Sequence, residues 1–187
     1  LVLSGGLLSG RVLYLGNQGG SLGTATINSG TLSNSSDLCL GLSGTGVLNI
    51  NGGYVSNWNG LVGLGSYGSA TVSSGTWSNS GDLTVGFFGT GVLNVNGGLV
   101  STANGIIGFE FGSNGTATVT SGTWSNSTEL DVGLAGMGVL NVNGGFVSSS
   151  IGVLGYAAGS FGTATVTSGT WSNSLLRVVT QARAFCS

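Results

Sequence analysis

The side chains best able to do acid–base chemistry in this chain are five carboxylates: Asp37, Asp82, Glu110, Glu129 and Asp131. The 187 residues include no His and no Lys. Ser-His-Asp, Cys-His and Ser-Lys nucleophile systems are therefore excluded within the chain. A zinc site that uses His is excluded as well, and Cys39 and Cys186 with scattered carboxylates make a poor metal centre. No cofactor and no metal is expected. What remains is carboxylate chemistry. Asp37, Asp82 and Glu129 stand at equivalent points of a repeat, just before a short apolar run. Coils stacked about 4.8 Å apart would space these acids about 9.6 Å from one another. That reaches the upper end of the carboxyl separation in inverting glycosidases. No aromatic platform or Arg accompanies the row, and the better reading is a solvated turn position.

The elements that would position such residues follow from the repeat. Gly23-Thr24-Ala25-Thr26-Ile27 recurs at Gly68, Gly115 and Gly162, at intervals of 45, 47 and 47 residues. A second series, Gly46-Val47-Leu48-Asn49-Ile50, recurs at Gly91 and Gly138, always 23 residues after a member of the first. The unit is one coil of about 22 to 24 residues, and two coil types alternate. Leu1 to Leu22 reads as the end of a second-type coil, so the repeat is entered in mid-coil. The fold expected is all-β: a parallel β-helix solenoid of about eight coils with three short strands each. The parallel-crossover rule favours a right-handed path. A calcium β-roll needs a nine-residue Gly/Asp repeat, and a propeller would not halve its long period into similar coils.

Alternation sends every second side chain of a strand inward. The positions that stay apolar in every coil are the expected core. On the first strand they include Ala117/Val119 and Leu140/Val142; on the second Leu32, Val55, Trp77, Val100, Trp124, Val147 and Trp171; on the third Leu15, Leu40, Val62, Val85, Ile107, Val132 and Leu154. First-type coils pair a small Ala with a large Trp. Two residues before the third-strand anchor they carry Leu38, Leu83 and Leu130, where second-type coils carry Gly60, Gly105 and Gly152. A Trp of one coil can then lie over the Gly of the next coil and keep the core filled. Asn34, Asn79, Asn126 and Asn173 recur in one turn, and Asn51, Asn96 and Asn143 in another. They fit either amide ladders along the axis or plain turn preference.

Composition narrows the function classes. The chain has 39 Gly, no Pro, 4% charged residues and a net charge of −2. No basic stripe exists to neutralise phosphates, so nucleic acid is not an expected partner. No apolar run is long enough for a membrane helix, and no leader-like segment opens the chain. Regular hydrophobic periodicity argues against a disordered linker.

The run Gly115-Thr-Ala-Thr-Val-Thr-Ser-Gly-Thr-Trp-Ser-Asn-Ser127, with Leu130-Asp131-Val132-Gly133 and Gly138-Val-Leu-Asn-Val-Asn-Gly-Gly145, resembles the β-helical repeats of bacterial autotransporter-type passengers and related adhesin-like surface proteins. The resemblance spans Val2 to Ser174. It implies a stalk or scaffold, exported to the cell surface or released, and it places no catalytic residue on this chain.

Outward positions complete the expectations. Thr24/Thr26, Thr116/Thr118 and Thr163/Thr165 form Thr-x-Thr pairs like those of ice-binding solenoids, but Val-x-Asn interrupts them and strand preference explains them better. Apolar residues also fall outward, at Tyr54, Leu61, Leu99, Ile106, Phe146 and Val153. These form a possible interaction surface for a second copy or a missing domain, unless long turns fold over them. Residues 1–174 are read as the array. Residues 175–187 break the pattern, as a cap or as sequence of other origin. The function expected is a non-catalytic, adhesin-like scaffold of a secreted or cell-surface bacterial protein. It would self-associate and could bind a host or matrix glycan or protein, without inserting in a membrane. The alternative is a polysaccharide-binding or polysaccharide-degrading β-helix that uses the carboxylate row.

Overall fold

The computed structural model describes residues 1–179. Its regular structure is all β, with 20 strands paired in parallel and wound into a solenoid of about eight turns. A representative coil contributes Thr90–Val95, Leu99–Thr102 and Asn104–Ile107. The next contributes Asn114–Val119, Thr123–Asn126 and Glu129–Val132. Pairing is residue on equivalent residue: Leu93 on Ala117, Val100 on Trp124, Ile107 on Val132. In some coils the second strand merges with a neighbour, as in Leu22–Asn34 and Phe146–Leu154.

The coil closes because each third strand ends in a glycine with φ between 71° and 78°, as at Gly86 and Gly108. Other residues resist that conformation. Here space forbids them too, since a Cβ on Gly86 would run into the Asn114 carbonyl. The chain then turns sharply into the next first strand.

The core is one continuous column of apolar layers from Leu15 to Val147. Ala25, Leu48, Ala70, Leu93, Ala117 and Leu140 follow one another on the first strand with no solvent contact. Trp77 and Trp124 are the largest fully buried side chains, and Trp171 packs against the same core. The inward assignment of the three Trp therefore holds.

The alternation of coil types has the packing cause that the sequence suggested. A Cβ added to Gly60 would lie 2.8 Å from the Trp77 ring and 2.8 Å from Leu83 Cδ1. At Gly105 the same atoms of Trp124 and Leu130 stand 2.8 Å away, and at Gly152 the Trp171 ring is 2.7 Å away. None of these three glycines has positive φ, so they are glycine for room and not for conformation. Each Trp lies against the Gly of the coil before it, and not of the next coil as expected. The first pair of coils supplies an internal control: where Gly would stand there is Leu13, and the following second strand carries Leu32 in place of Trp. Gly and Trp change together.

A polar column also runs inside, at the end of the second strand. It comprises Asn34, Asn57, Asn79, Thr102, Asn126 and Ser149, all buried. Trp77 Nε1 donates to Asn57 Oδ1 at 2.8 Å, and Asn57 Nδ2 donates to Asn79 Oδ1 at 2.6 Å. This is one amide rung, not a continuous ladder. One coil pair later Thr102 replaces Asn. Its hydroxyl points to the Gly81 and Asn104 carbonyls, at 2.7 and 3.0 Å, and both Trp124 Nε1 and Asn126 Oδ1 are left buried without a partner. At the outer turn Asn51 does donate to Asn28, at 3.0 Å, whereas Asn96 and Asn143 accept from Thr120 and Thr167. The two candidate ladders are thus mixed Asn/Thr/Ser columns.

The segment after Ser174 begins in register: Leu175 pairs with Ile151 and Val178 with Leu154. The rest of that tail, from Thr180 and including Cys186, lies outside the described residues.

The polar column yields a direct prediction. Thr102→Asn recreates the Asn57 arrangement, giving Trp124 Nε1 an acceptor and Asn126 Oδ1 a donor. Satisfying two buried groups should stabilise the protein by about 1–2 kcal/mol, read as a higher urea midpoint at unchanged m-value. Asn57→Thr should cost a similar amount by orphaning Trp77 and Asn79.

Candidate functional site

The carboxylate row is built differently from a catalytic pair. Asp37, Asp82 and Glu129 do recur every second coil, but Asn59 and Asn104 occupy the coils between. Asn59 Nδ2 donates to Asp37 Oδ1 at 3.0 Å, and its Oδ1 accepts the Asp82 backbone N–H at 3.0 Å. Asn104 Nδ2 donates to Asp82 Oδ1 at 2.8 Å. Between Asp37 and Asp82 an amide thus bridges the gap where an inverting hydrolase would hold its water, whereas Asn104 bonds to Asp82 alone. The row works as an axial hydrogen-bond chain, with charged acceptors that strengthen each bond. The intervening Asn residues were visible in the sequence, and only the register shows that they bond to the acids.

Asp131 behaves differently. It sits on the outward side of the third strand, between Ile106 and Val153 in the neighbouring coils. It is 8% exposed, and its Oδ1 has no hydrogen-bond partner. Desolvation, with a smaller push from the Glu129 charge, raises its pKa to about 7. Cys39 lies in the same row, where burial and then the Asp37 charge push its thiol up to about 12, so it is an inert structural cysteine. Among the described residues no three Cys, Asp or Glu side chains converge on one point.

This row also corrects the expected interaction surface. Ile106 is 8% and Val153 1% exposed, so neither contributes to an outer face, whereas Leu61 is half-buried, as Leu99 is. The third strand is short and covered on both sides: Cys39 and Thr84 in the same row are also buried. Period-2 alternation therefore does not sort core from solvent there, as in any strand buried on both faces.

The second strand does present its outward residues. Tyr54 and Phe146 are exposed and Leu99 is half-buried. Register places them in one column with Leu7, and Thr31, Thr76, Thr123 and Thr170 fill the alternate coils. Beside it runs a column that is Ser in every coil, from Ser9 to Ser172, with hydroxyl-to-hydroxyl bonds such as Ser56 to Ser33 at 3.1 Å. On the first strand Thr24, Val47, Ser69, Val92, Thr116, Val139 and Thr163 share a column, so the Thr pairs are interrupted as expected.

A further surface escaped the sequence reading. The residue after each coil-closing glycine is apolar from the second coil on: Leu42, Leu64, Phe87, Phe109, Leu134 and Tyr156. Phe87 stacks on Phe109 with centroids 4.6 Å apart. Phe88 and Phe111 stand exposed in the same turns, and Phe161 stands exposed at the start of the strand that follows one. The constant apolar residue directly after the glycine was the available signal.

Asp131 generates a pH prediction. Its folded pKa lies above the unfolded value of roughly 3.9, so the folded state holds the proton more tightly. The contribution of Asp131 to stability is greatest below about pH 4, falls as pH rises to about 7, and levels off above that. Asp131→Asn should flatten this slope and, at pH 8, raise stability by about 2–4 kcal/mol, measured by urea unfolding at pH 4.5 and 8.

The chain matches no family model, no curated protein and no solved structure. What the structure shows is a parallel β-solenoid of about eight turns, consistent with β-helical repeats.

Proposed function

We propose that this chain is a non-catalytic, adhesin-like structural scaffold of a secreted or cell-surface bacterial protein. The observation that carries the reading is the use made of its polar groups. In the row that could have been catalytic, Asn59 and Asn104 join Asp37 and Asp82 into a bonded chain along the axis. The Ser, Thr and Asn columns are likewise engaged from coil to coil. A rod held together in this way extends by repetition and presents the same faces at each step. That suits a stalk. The likeness of its repeats to autotransporter-type passengers supports an extracellular site.

A second reading, polysaccharide binding, draws on the exposed rings of Phe88, Phe111 and Phe161, since exposed rings can stack on sugar faces. Affinity electrophoresis in gels that contain neutral polysaccharides separates the two. Retardation lost in Phe88→Ala and Phe111→Ala supports binding; unretarded migration in every gel counts against it.

The scaffold reading is tested by incubation with a polysaccharide panel, followed by assay for new reducing ends and unsaturated products. None is expected. Turnover that disappears in Asp82→Ala or Glu129→Ala would promote the carboxylate row and overturn the proposal.

A further inference from the structure

The outward column of the second strand has a shape that selects its own partner. Apolar side chains project at Leu7, Tyr54, Leu99 and Phe146, one in every second coil, and the smaller Thr stands between them. The period is therefore about 9.6 Å, twice the coil spacing. A surface of knobs and gaps with equal spacing is complementary to itself when shifted by one coil.

We infer that this face is the interface of an antiparallel, two-fold symmetric dimer with a second copy of this chain. The symmetry follows from the pattern. A two-fold axis lying in the face and perpendicular to the solenoid axis sets the column against itself in reverse. When the axis passes between the coils of Thr76 and Leu99, every apolar knob meets a Thr gap: Leu99 faces the partner's Thr76, and Tyr54 faces the partner's Thr123. A parallel copy would need a one-coil stagger to do the same. That arrangement is not a two-fold, and it leaves one coil of each copy unpaired.

Three features of the face fit burial. Neither outward column of the second strand carries a charged side chain, from Leu7 to Thr170 or from Ser9 to Ser172. The Ser hydroxyls already bond one another along the axis, at 3.1 Å for Ser56 to Ser33 and 3.3 Å for Ser148 to Ser125, so little is lost on removing water. The area suffices as well. Eight coils at about 4.8 Å and a strand of four to five residues with its flanks give a face of about 38 by 15–20 Å. Two copies would bury roughly 1,200–1,500 Å², within the range of stable protein interfaces. The inference does not depend on the scaffold proposal, because a glycan-binding solenoid would carry the same face.

Sedimentation equilibrium of the whole chain tests it. The expected mass is twice the 18.3 kDa of one chain. Leu99→Arg and Thr76→Arg should each raise the dimer dissociation constant by about 100-fold or more, because the axis brings both substitutions to the centre of the interface. Thr71→Arg, on the first-strand face, should leave it unchanged. The register has its own test. Thr76 and Leu99 are neighbours within one chain, so the two charges go on separate chains: a Thr76→Glu chain mixed with a Leu99→Arg chain sets the Glu of one against the Arg of the other and should give a heterodimer. Circular dichroism confirms that each variant keeps its β fold. A monomer mass at high concentration, a dimer indifferent to both Arg variants, or a mixture that stays monomeric would each overturn the proposal.

Discussion

Each side chain of this solenoid lies over its counterpart one coil away, at the spacing of hydrogen-bonded strands. That single distance constrains everything else. Backbone pairing fixes the rise per coil, so a coil cannot move aside to admit a large neighbour. Volume must be balanced between adjacent coils. Trp77 and Trp124 are admitted because Gly60 and Gly105 leave room beside their rings, and because Ala70 and Ala117 occupy the first strand of the same coils. A Trp in every coil would overfill the column, and a Val in every coil would leave it short. The doubling of the sequence period is the packing solution, and the Leu13 and Leu32 pair shows the same rule met without either extreme.

The same distance governs the polar groups. An amide over an amide can bond along the axis, and Asn57 over Asn79 does so. An acid over an acid would repel, so the row of Asp37, Asp82 and Glu129 is spaced by Asn, whose amide serves the acid on one side. Where the alternation supplies the wrong partner, groups are left over: Trp124 Nε1 above Thr102, and Asp131 between Ile106 and Val153. These are the points at which a repetitive core is imperfectly satisfied, and each carries a local cost.

Much of this was legible because the period is strict. The register of Gly, the three strands per coil and the inward Trp follow from counting residues, since a one-residue slip would turn every core position outward. The Gly–Trp relation was also readable, as both sit at constant offsets in alternate coils. The third strand was not. Its residues alternate like those of a half-exposed strand, yet Cys39, Thr84, Ile106 and Val153 are buried, so alternation alone does not reveal that the outer face is covered. The hydrogen bonds of Asn59, Asn104 and Asn57 were hidden for a related reason. Asn is common in turns whatever it bonds to, so its type gave no clue until the register placed an acid or an indole beside it.

The account's central claim is that neighbouring coils exchange volume, and a double-mutant cycle between Gly105 and Trp124 measures it. Gly105→Ala should be destabilising because the new methyl meets the indole and Leu130. Trp124→Leu should be destabilising because it opens a cavity. In the double variant the methyl should partly fill that cavity, so the loss should fall short of the sum of the single losses by about 1–3 kcal/mol in urea unfolding. Losses that add to within about 0.5 kcal/mol would show that the two positions do not share space, and would contradict the account.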